Sequence, residues 1–426
     1  MKKILLIIFC LHSATLFSKG LISLHRYHRI NDPINDSVED NSLIFEFDSN
    51  LSLKKLPPTY INGSVKYDAG NKKFLYSLSE AFIHQKRGVT EVHFGKKILD
   101  WNINEKYWGL GELNQLRGFN LLEDHEEGLL GLHLDRKGKY FRVSLFGSYL
   151  FLPQLNPGVE IVDGKISSSS EWAKLPPDSI DFNDELIPIY YTLDMPKISS
   201  ILLQESYGAL IGTHWTGGSL NIYGLYKPEN LLRINATGYY EQDTEERAKV
   251  ITRPFVNHHL VYGAGLSQKL YNITFDGGIM HIAPNHGKDN DFEFESLKIV
   301  PTYNNETYAH ANIGIDFNNY KLSFNAISLL SKVPSVLESF SKISKWRQAF
   351  GVKGELSLFD RFTAKADYKF DTILSDSIFT ASANYLFLNR ALLEVGIEFL
   401  ESPTSVSYWS NFRSNDSFYT KLSYKF

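Results

Sequence analysis

Cysteine is nearly missing from this chain: among 426 residues, Cys10 carries the single thiol. No intrachain disulfide can form, so an exported fold must be held together in another way. Charge of one sign is missing too. The 44 Lys and Arg almost balance the 48 Asp and Glu, giving a formal net charge of −4. That removes the electrostatic ground for a nucleic-acid partner. Long apolar runs are missing beyond Phe17. Mean hydropathy is −0.22, and nothing approaches the roughly 20 apolar residues a membrane-crossing helix needs. Catalytic signatures are missing as well. Neither G-x-S-x-G nor H-E-x-x-H occurs, and His281, His286 and Asp289 have no triad-like context. No enzyme activity, cofactor or metal is expected. His258 and His259 are neighbours, and neighbours on a strand face opposite sides, so they do not form a metal pair. Asp124, His125, Glu126 and Glu127 read as a solvated acidic cluster. Gly109 and Gly111 are too sparse for a phosphate loop.

What is present is alternation. Aromatics reach 14%, with 24 Tyr and 29 Phe, the residues that favour strands and bilayer interfaces. In Asp360 to Asp371, Phe362, Ala364, Ala366, Tyr368 and Phe370 fall on one face. Arg361, Thr363, Lys365, Asp367, Lys369 and Asp371 fall on the other. Thr307 to Phe317, Leu231 to Glu241 and Leu393 to Phe399 repeat the pattern. Such half-polar strands escape hydropathy scales. At the start, Met1-Lys2-Lys3 precedes an apolar run from Ile4 to Cys10, the form of a cleaved export signal spanning residues 1–18. Phe9 before Cys10 argues against lipidation.

The last ten residues, SFYTKLSYKF, organise the reading. Phe418, Thr420, Leu422, Tyr424 and Phe426 share one face; Ser417, Tyr419, Lys421, Ser423 and Lys425 share the other. The length suits a tilted strand crossing a bilayer, about nine to eleven residues. This stretch resembles the final strand of bacterial outer-membrane β-barrel proteins of porin-like type. The resemblance implies an all-β fold: a transmembrane antiparallel β-barrel with long outer loops and short periplasmic turns, in the outer membrane of a Gram-negative-type cell. It also implies partners: outer-membrane lipid and lipopolysaccharide, and barrel-insertion machinery that reads Phe426.

Phasing the loops back from a periplasmic Phe426 gives about 18 strands. It makes Glu185 to Asp194 (ELIPIYYTLD) and Leu231 to Glu241 wall strands. Thr216-Gly217-Gly218 becomes an outer hairpin, with Met195-Pro196-Lys197 and Lys227 to Asn230 as periplasmic turns. Residues 59–426 form the barrel, and residues 19–58 a periplasmic or lumen-lying segment; the alternative is that Leu43 to Leu53 pairs with a further strand, Ile22 to Ile30, giving about 20 strands.

By the same alternation the lumen carries Arg142, Arg233, Asp316, Lys365, Asp367, Lys369, Glu394, Glu398 and Lys421, both signs in similar number. A wet lumen narrowed by a loop predicts passive diffusion of small polar solutes. The long loop Pro153 to Asp184 is the expected constriction, with Asp163, Lys165, Glu171 and Lys174 setting its charge. Trp101, Trp215, Trp346 and Trp409 fall at predicted strand ends, where interfacial girdles belong. Trp108 and Trp172 lie mid-loop. With Trp101 and Tyr107, near Asp100, Glu105, Glu112 and Asn114, they offer the alternative: a plugged barrel that binds or exports polysaccharide, with a carbohydrate ligand stacked on outer-loop rings.

Overall fold

The computed structural model describes residues 19–426 apart from 31–40, 52–56, 70–71, 117–119, 124, 155, 169, 171, 183, 242–246, 286–296, 300–302, 333–341 and 360. The expected export signal therefore lies outside the described residues, as do Glu171, Asp124, His286 and Asp289.

Eighteen antiparallel strands close into one barrel. In chain order they are β1 Lys19–Arg29, β2 Asn41–Leu51, β3 Thr59–Asp68, β4 Lys73–Arg87, β5 Thr90–Lys97, β6 Leu129–Lys137, β7 Phe141–Ser148, β8 Ser206–Trp215 and β9 Gly218–Pro228. There follow β10 His258–Leu270, β11 Ile273–Pro284, β12 Glu306–Phe317, β13 Tyr320–Leu329, β14 Gln348–Leu358, β15 Phe362–Asp371, β16 Ser377–Phe387, β17 Ala391–Glu401 and β18 Ser417–Lys425. Each pairs with the next, and β18 returns to β1 in a register running from Leu21↔Lys425 to Arg29↔Ser417. Closure leaves no sheet edge, so the wall's backbone donors and acceptors are met within the ladder.

The side-chain alternation fixes which face is which. On β15, Tyr368 and Phe370 point outward with their cross-strand neighbours Val352 and Phe350, while Asp367 and Lys369 point inward. Phe350 remains 51% exposed and Tyr368 45%. A band of half-exposed apolar side chains around a closed sheet is a lipid-facing surface. His258 and His259 do face opposite sides. His258 stacks on Tyr226 at 5.1 Å, and His259 is buried inward, 3.5 Å from Glu112.

The strand number matches the expectation, but the membership differs. Lys19–Arg29 and Asn41–Leu51, expected in an N-terminal segment off the barrel, are wall strands, and β1 carries the closure. KGLISLHRYHR hides its amphipathy because Arg26 and His28 lie on the outward face beside Leu24. The pairing that redeems β1 is remote: the Ser23 and Ser423 hydroxyls meet at 2.9 Å.

Glu185–Leu193 and Arg233–Glu241 are not wall strands. They join Ser179–Phe182, Arg247–Phe255 and Leu297–Ile299 in a five-stranded sheet at the long-loop end. The apolar alternation in ELIPIYYTLD is real, since Ile187, Ile189 and Tyr191 are buried. It serves a parallel pairing, Ile189↔Ala248 to Leu193↔Thr252.

The phase between β7 and β10 changes with this membership. Thr216-Gly217-Gly218 is a hairpin at the short-turn end, and Lys227–Asn230 lies at the long-loop end. Gly217 is needed in that hairpin. Its φ is +80°, and an added Cβ would lie 2.7 Å from the Lys269 carbonyl.

Candidate functional site: the lumen and its inward-folded loop

The described residues of the connection between β5 and β6, within 98–128, fold into the barrel. Its centre is a short helix, α1, Ile103–Trp108. Asn102 caps it by accepting the Asn104 N–H at 3.1 Å. Gly109, at φ +58°, ends it with its N–H on Lys106 O at 3.1 Å. Glu105 is turned under the loop, where it accepts the backbone N–H groups of Glu112 and Leu113. Burial pushes its carboxyl up to about 8.

The loop docks through tryptophan. Trp108 and Trp346 are each 1% exposed and meet edge to face at 5.4 Å. Trp346 Nε1 donates to Trp108 O at 2.8 Å. Trp409 continues the row 5.5 Å from Trp346. Trp172 lies 5.5 Å from Phe412. Inward wall residues such as Leu210, Leu225, Val261 and Met280 complete this core. The barrel thus carries an apolar core inside its lumen, toward the loop end.

Polar ties fix the loop's position. Tyr107 Oη donates to Asp367 at 2.9 Å. Lys369 Nζ donates to Tyr107 O at 2.7 Å and sits 4.5 Å from its ring. Asn102 Nδ2 donates to Tyr223 Oη at 3.1 Å. Gly351 makes room for the Tyr107 hydroxyl, which a Cβ there would overlap. Farther up, Lys342 bridges Glu112 at 2.5 Å and Glu306 at 3.0 Å. Burial alone would lower its pKa, but the two carboxylates outweigh burial and hold it well above the ordinary value. Lys345 donates to Gly109 O, and burial pulls its pKa down to about 8.

Most of the expected lumen residues face inward. Arg142 bonds Asp100 of the inserted loop and lies 3.5 Å from Asp135. Asp316 is paired across the sheet with Lys321. Glu394 accepts from Tyr419 Oη at 3.1 Å, Glu398 from Ser417 at 3.1 Å, and Lys421 lies 3.7 Å from Glu46. Lys365, Asp367 and Lys369 form one inward row on β15.

Arg233 does not line the lumen. It sits at the base of the hairpin at the long-loop end, buried, in a two-point bond to Glu229 and 3.8 Å from the Tyr303 ring. The loop that enters the barrel is also a different one from the Pro153 to Asp184 loop expected there. Asp163 and Lys165 stand exposed on a small hairpin of the Pro153 to Asp184 loop. Lys174 is exposed as well, whereas Trp172 reaches the core. Three of the four expected girdle tryptophans, Trp101, Trp346 and Trp409, are buried inside, and only Trp215 is outward and 43% exposed. Strand-end position does not distinguish a ring aimed at lipid from one aimed at a plug. Sequence reasoning had Trp108 in hand but missed that its helix is capped. The Asn102 and Gly109 pair was the available signal.

Among the described residues no group of three His, Cys, Asp or Glu is arranged to hold a metal ion. Space remains between the loop and one side of the wall. A cavity of about 160 Å³ lies against β14–β16. A second, of about 70 Å³, lies against β1–β4 and β18. Glu123 borders both.

No family model matches the chain, and no curated protein matches it. Among solved structures it is similar to OccK5 (OpdH) of Pseudomonas aeruginosa, at 9% identity and a TM-score of 0.48, covering 96% of each chain. It is similar also to OccAB3 of Acinetobacter baumannii, at 8% identity and a TM-score of 0.46, covering 96% of this chain and 98% of that one. A mutant Rh. blastica porin gives 9% identity and a TM-score of 0.40, with 96% and 98% covered. The barrel described above rests on its own strand ladder.

Proposed function

We propose that the protein is an outer-membrane channel of narrow bore for passive diffusion of small polar solutes. The observation that carries this reading is the inserted loop. Its apolar core occupies the lumen's loop end and leaves cavities of about 160 and 70 Å³ against the wall. The outward apolar band would sit in outer-membrane lipid and lipopolysaccharide, and Phe426 would be read by the insertion machinery after export. The polysaccharide reading loses its footing, because the faces of Trp101, Trp108 and Trp172 are covered inside the barrel.

Planar-bilayer recording of the purified barrel tests the proposal. Small, steady conductance is expected, and Tyr107→Ala, which releases α1 from Asp367, should raise it. Silence from both the native protein and this variant would refute a solute path.

A further inference from the structure

The wall is not equally tall all the way round. β5, β6 and β7 have 8, 9 and 8 residues, where β4 has 15 and β10 has 13. At ~3.3 Å per residue and a tilt of ~40°, an eight-residue strand climbs roughly 20 Å. The apolar band of an outer-membrane barrel is about 25 Å tall. On this flank the strands end below the top of that band. What stands at their long-loop end is apolar. Tyr149, Leu150 and Leu152 follow β7, and a short helix before β8, α2 Ile198–Leu202, begins with Ile198 and is followed by Leu203. These five and Tyr207 of β8 are exposed, Tyr149 to 79% and Ile198 to 71%. The two segments lie side by side, since the Phe151 N–H donates to Leu202 O at 2.9 Å. Their main chain is also satisfied from within. The Ser148 hydroxyl accepts the Leu150 N–H at 2.9 Å and donates to Leu150 O at 3.0 Å. Gln115 Nε2 donates to Leu152 O. Ser200 Oγ donates to Lys197 O at 2.7 Å, and Gln204 Nε2 to Ser200 O at 2.6 Å.

We infer that residues 149–152 and α2 form a collar that lies in the outer-leaflet hydrocarbon and completes the lipid-facing band where the wall is short. The inference rests on the outer-membrane placement of the barrel and is independent of conduction. Three physical points support it. The patch continues the lipid-facing surface, because the outward Leu145 of β7 and Ala209 of β8 are paired directly below it. Large apolar side chains gathered in one exposed patch mark a surface that meets an apolar partner. Main-chain groups in hydrocarbon have no water to bond and must find partners in the protein, and here serine and glutamine side chains supply them. Lys197, exposed at the start of α2, has the reach to carry its charge up to the headgroups.

The test is spin-label accessibility in the full-length barrel reconstituted in phosphatidylcholine vesicles. A nitroxide is attached in turn at Ile198→Cys, at Leu203→Cys, at Leu145→Cys on the wall, and at Asp163→Cys on the exposed loop hairpin, each in a Cys10→Ser background. Its collisions with oxygen, which concentrates in hydrocarbon, are compared with its collisions with a water-soluble nickel chelate. The oxygen-to-nickel ratio at Ile198→Cys and Leu203→Cys should exceed that at Asp163→Cys at least threefold and resemble that at Leu145→Cys. Ratios at both rim sites equal to that at Asp163→Cys would overturn the collar. So would low access to both reagents there, which a second copy packed on the rim would give. The wall label separates this from the membrane placement. A Leu145→Cys label that favours oxygen beside rim labels that favour nickel keeps the placement and loses the collar. A Leu145→Cys label that favours nickel removes both.

Discussion

Trp346→Ala is the sharpest probe of how the inserted loop is held. Trp346 lies just before β14, outside the wall strands, so its loss spares the strand ladder. It is 1% exposed, contacts the rings of Trp108 and Trp409, and donates to Trp108 O. Truncating a buried tryptophan costs about 3–5 kcal/mol in a core that cannot collapse. Part of that reflects two aromatic contacts of about 0.5–1.5 kcal/mol each, and part a hydrogen bond of about 1 kcal/mol. At one decade per ~1.4 kcal/mol, a loss of about 4 kcal/mol moves the docked-to-released ratio by nearly three decades. The assay is single-channel recording paired with limited proteolysis of residues 98–128. Larger or flickering conductance and faster loop cleavage are expected, with the barrel's heat-modifiable mobility unchanged. Native conductance together with native cleavage rates would refute the latch.

Glu105 predicts a pH dependence of the same latch. Its carboxyl is raised from 4.5 to about 8 when buried, so the released loop ionises first, and docking is strongest at low pH and weakens as pH rises across that window. Glu105→Gln should flatten the dependence of loop proteolysis on pH; an equally steep profile in the variant would assign it elsewhere. Gly351→Ala places a methyl on the Tyr107 hydroxyl and should loosen the loop, an effect that Tyr107→Ala in the same chain should largely mask. Phe426 stacks on Phe45 at 6.1 Å and covers Gly20, so Phe426→Ala should cost about 1–2 kcal/mol at a half-exposed site. That loss should show as a lower midpoint in heat-modifiable mobility.

Much of the architecture was legible because alternation with period two is a local property. SFYTKLSYKF and Phe362 to Asp371 declare both of their faces within ten residues, and the structure sets those faces as read. What failed depended on distant partners. KGLISLHRYHR can be read as a strand, but its place in the wall is settled only by β18 beside it. ELIPIYYTLD looks like a wall strand, yet its buried alternate residues pair with Arg247–Phe255 in parallel. The two misplacements exchanged one pair of strands for another, so the strand number survived while the topology between β7 and β10 did not. The lumen row on β15 could be read from sequence, whereas its alignment with Lys106 and Lys345 could not. Lys106 reaches the row only because α1 is docked by tryptophans whose burial no local pattern announces.

The seam between β1 and β18 has a consequence for how the chain must be made. A polypeptide made from its N-terminus delivers Ser23 of β1 400 residues before its partner Ser423 of β18. Until those residues are made, the β1 edge has no neighbour on one side. Joining chain ends this far apart adds only about 0.6 kcal/mol for each doubling of length, and nine residue pairs stand against that cost. The seam is therefore late in time more than weak in energy. A chain cut short of residue 417 would not merely be one strand smaller. It would present two raw edges, β17 and β1, each a template for pairing with another chain.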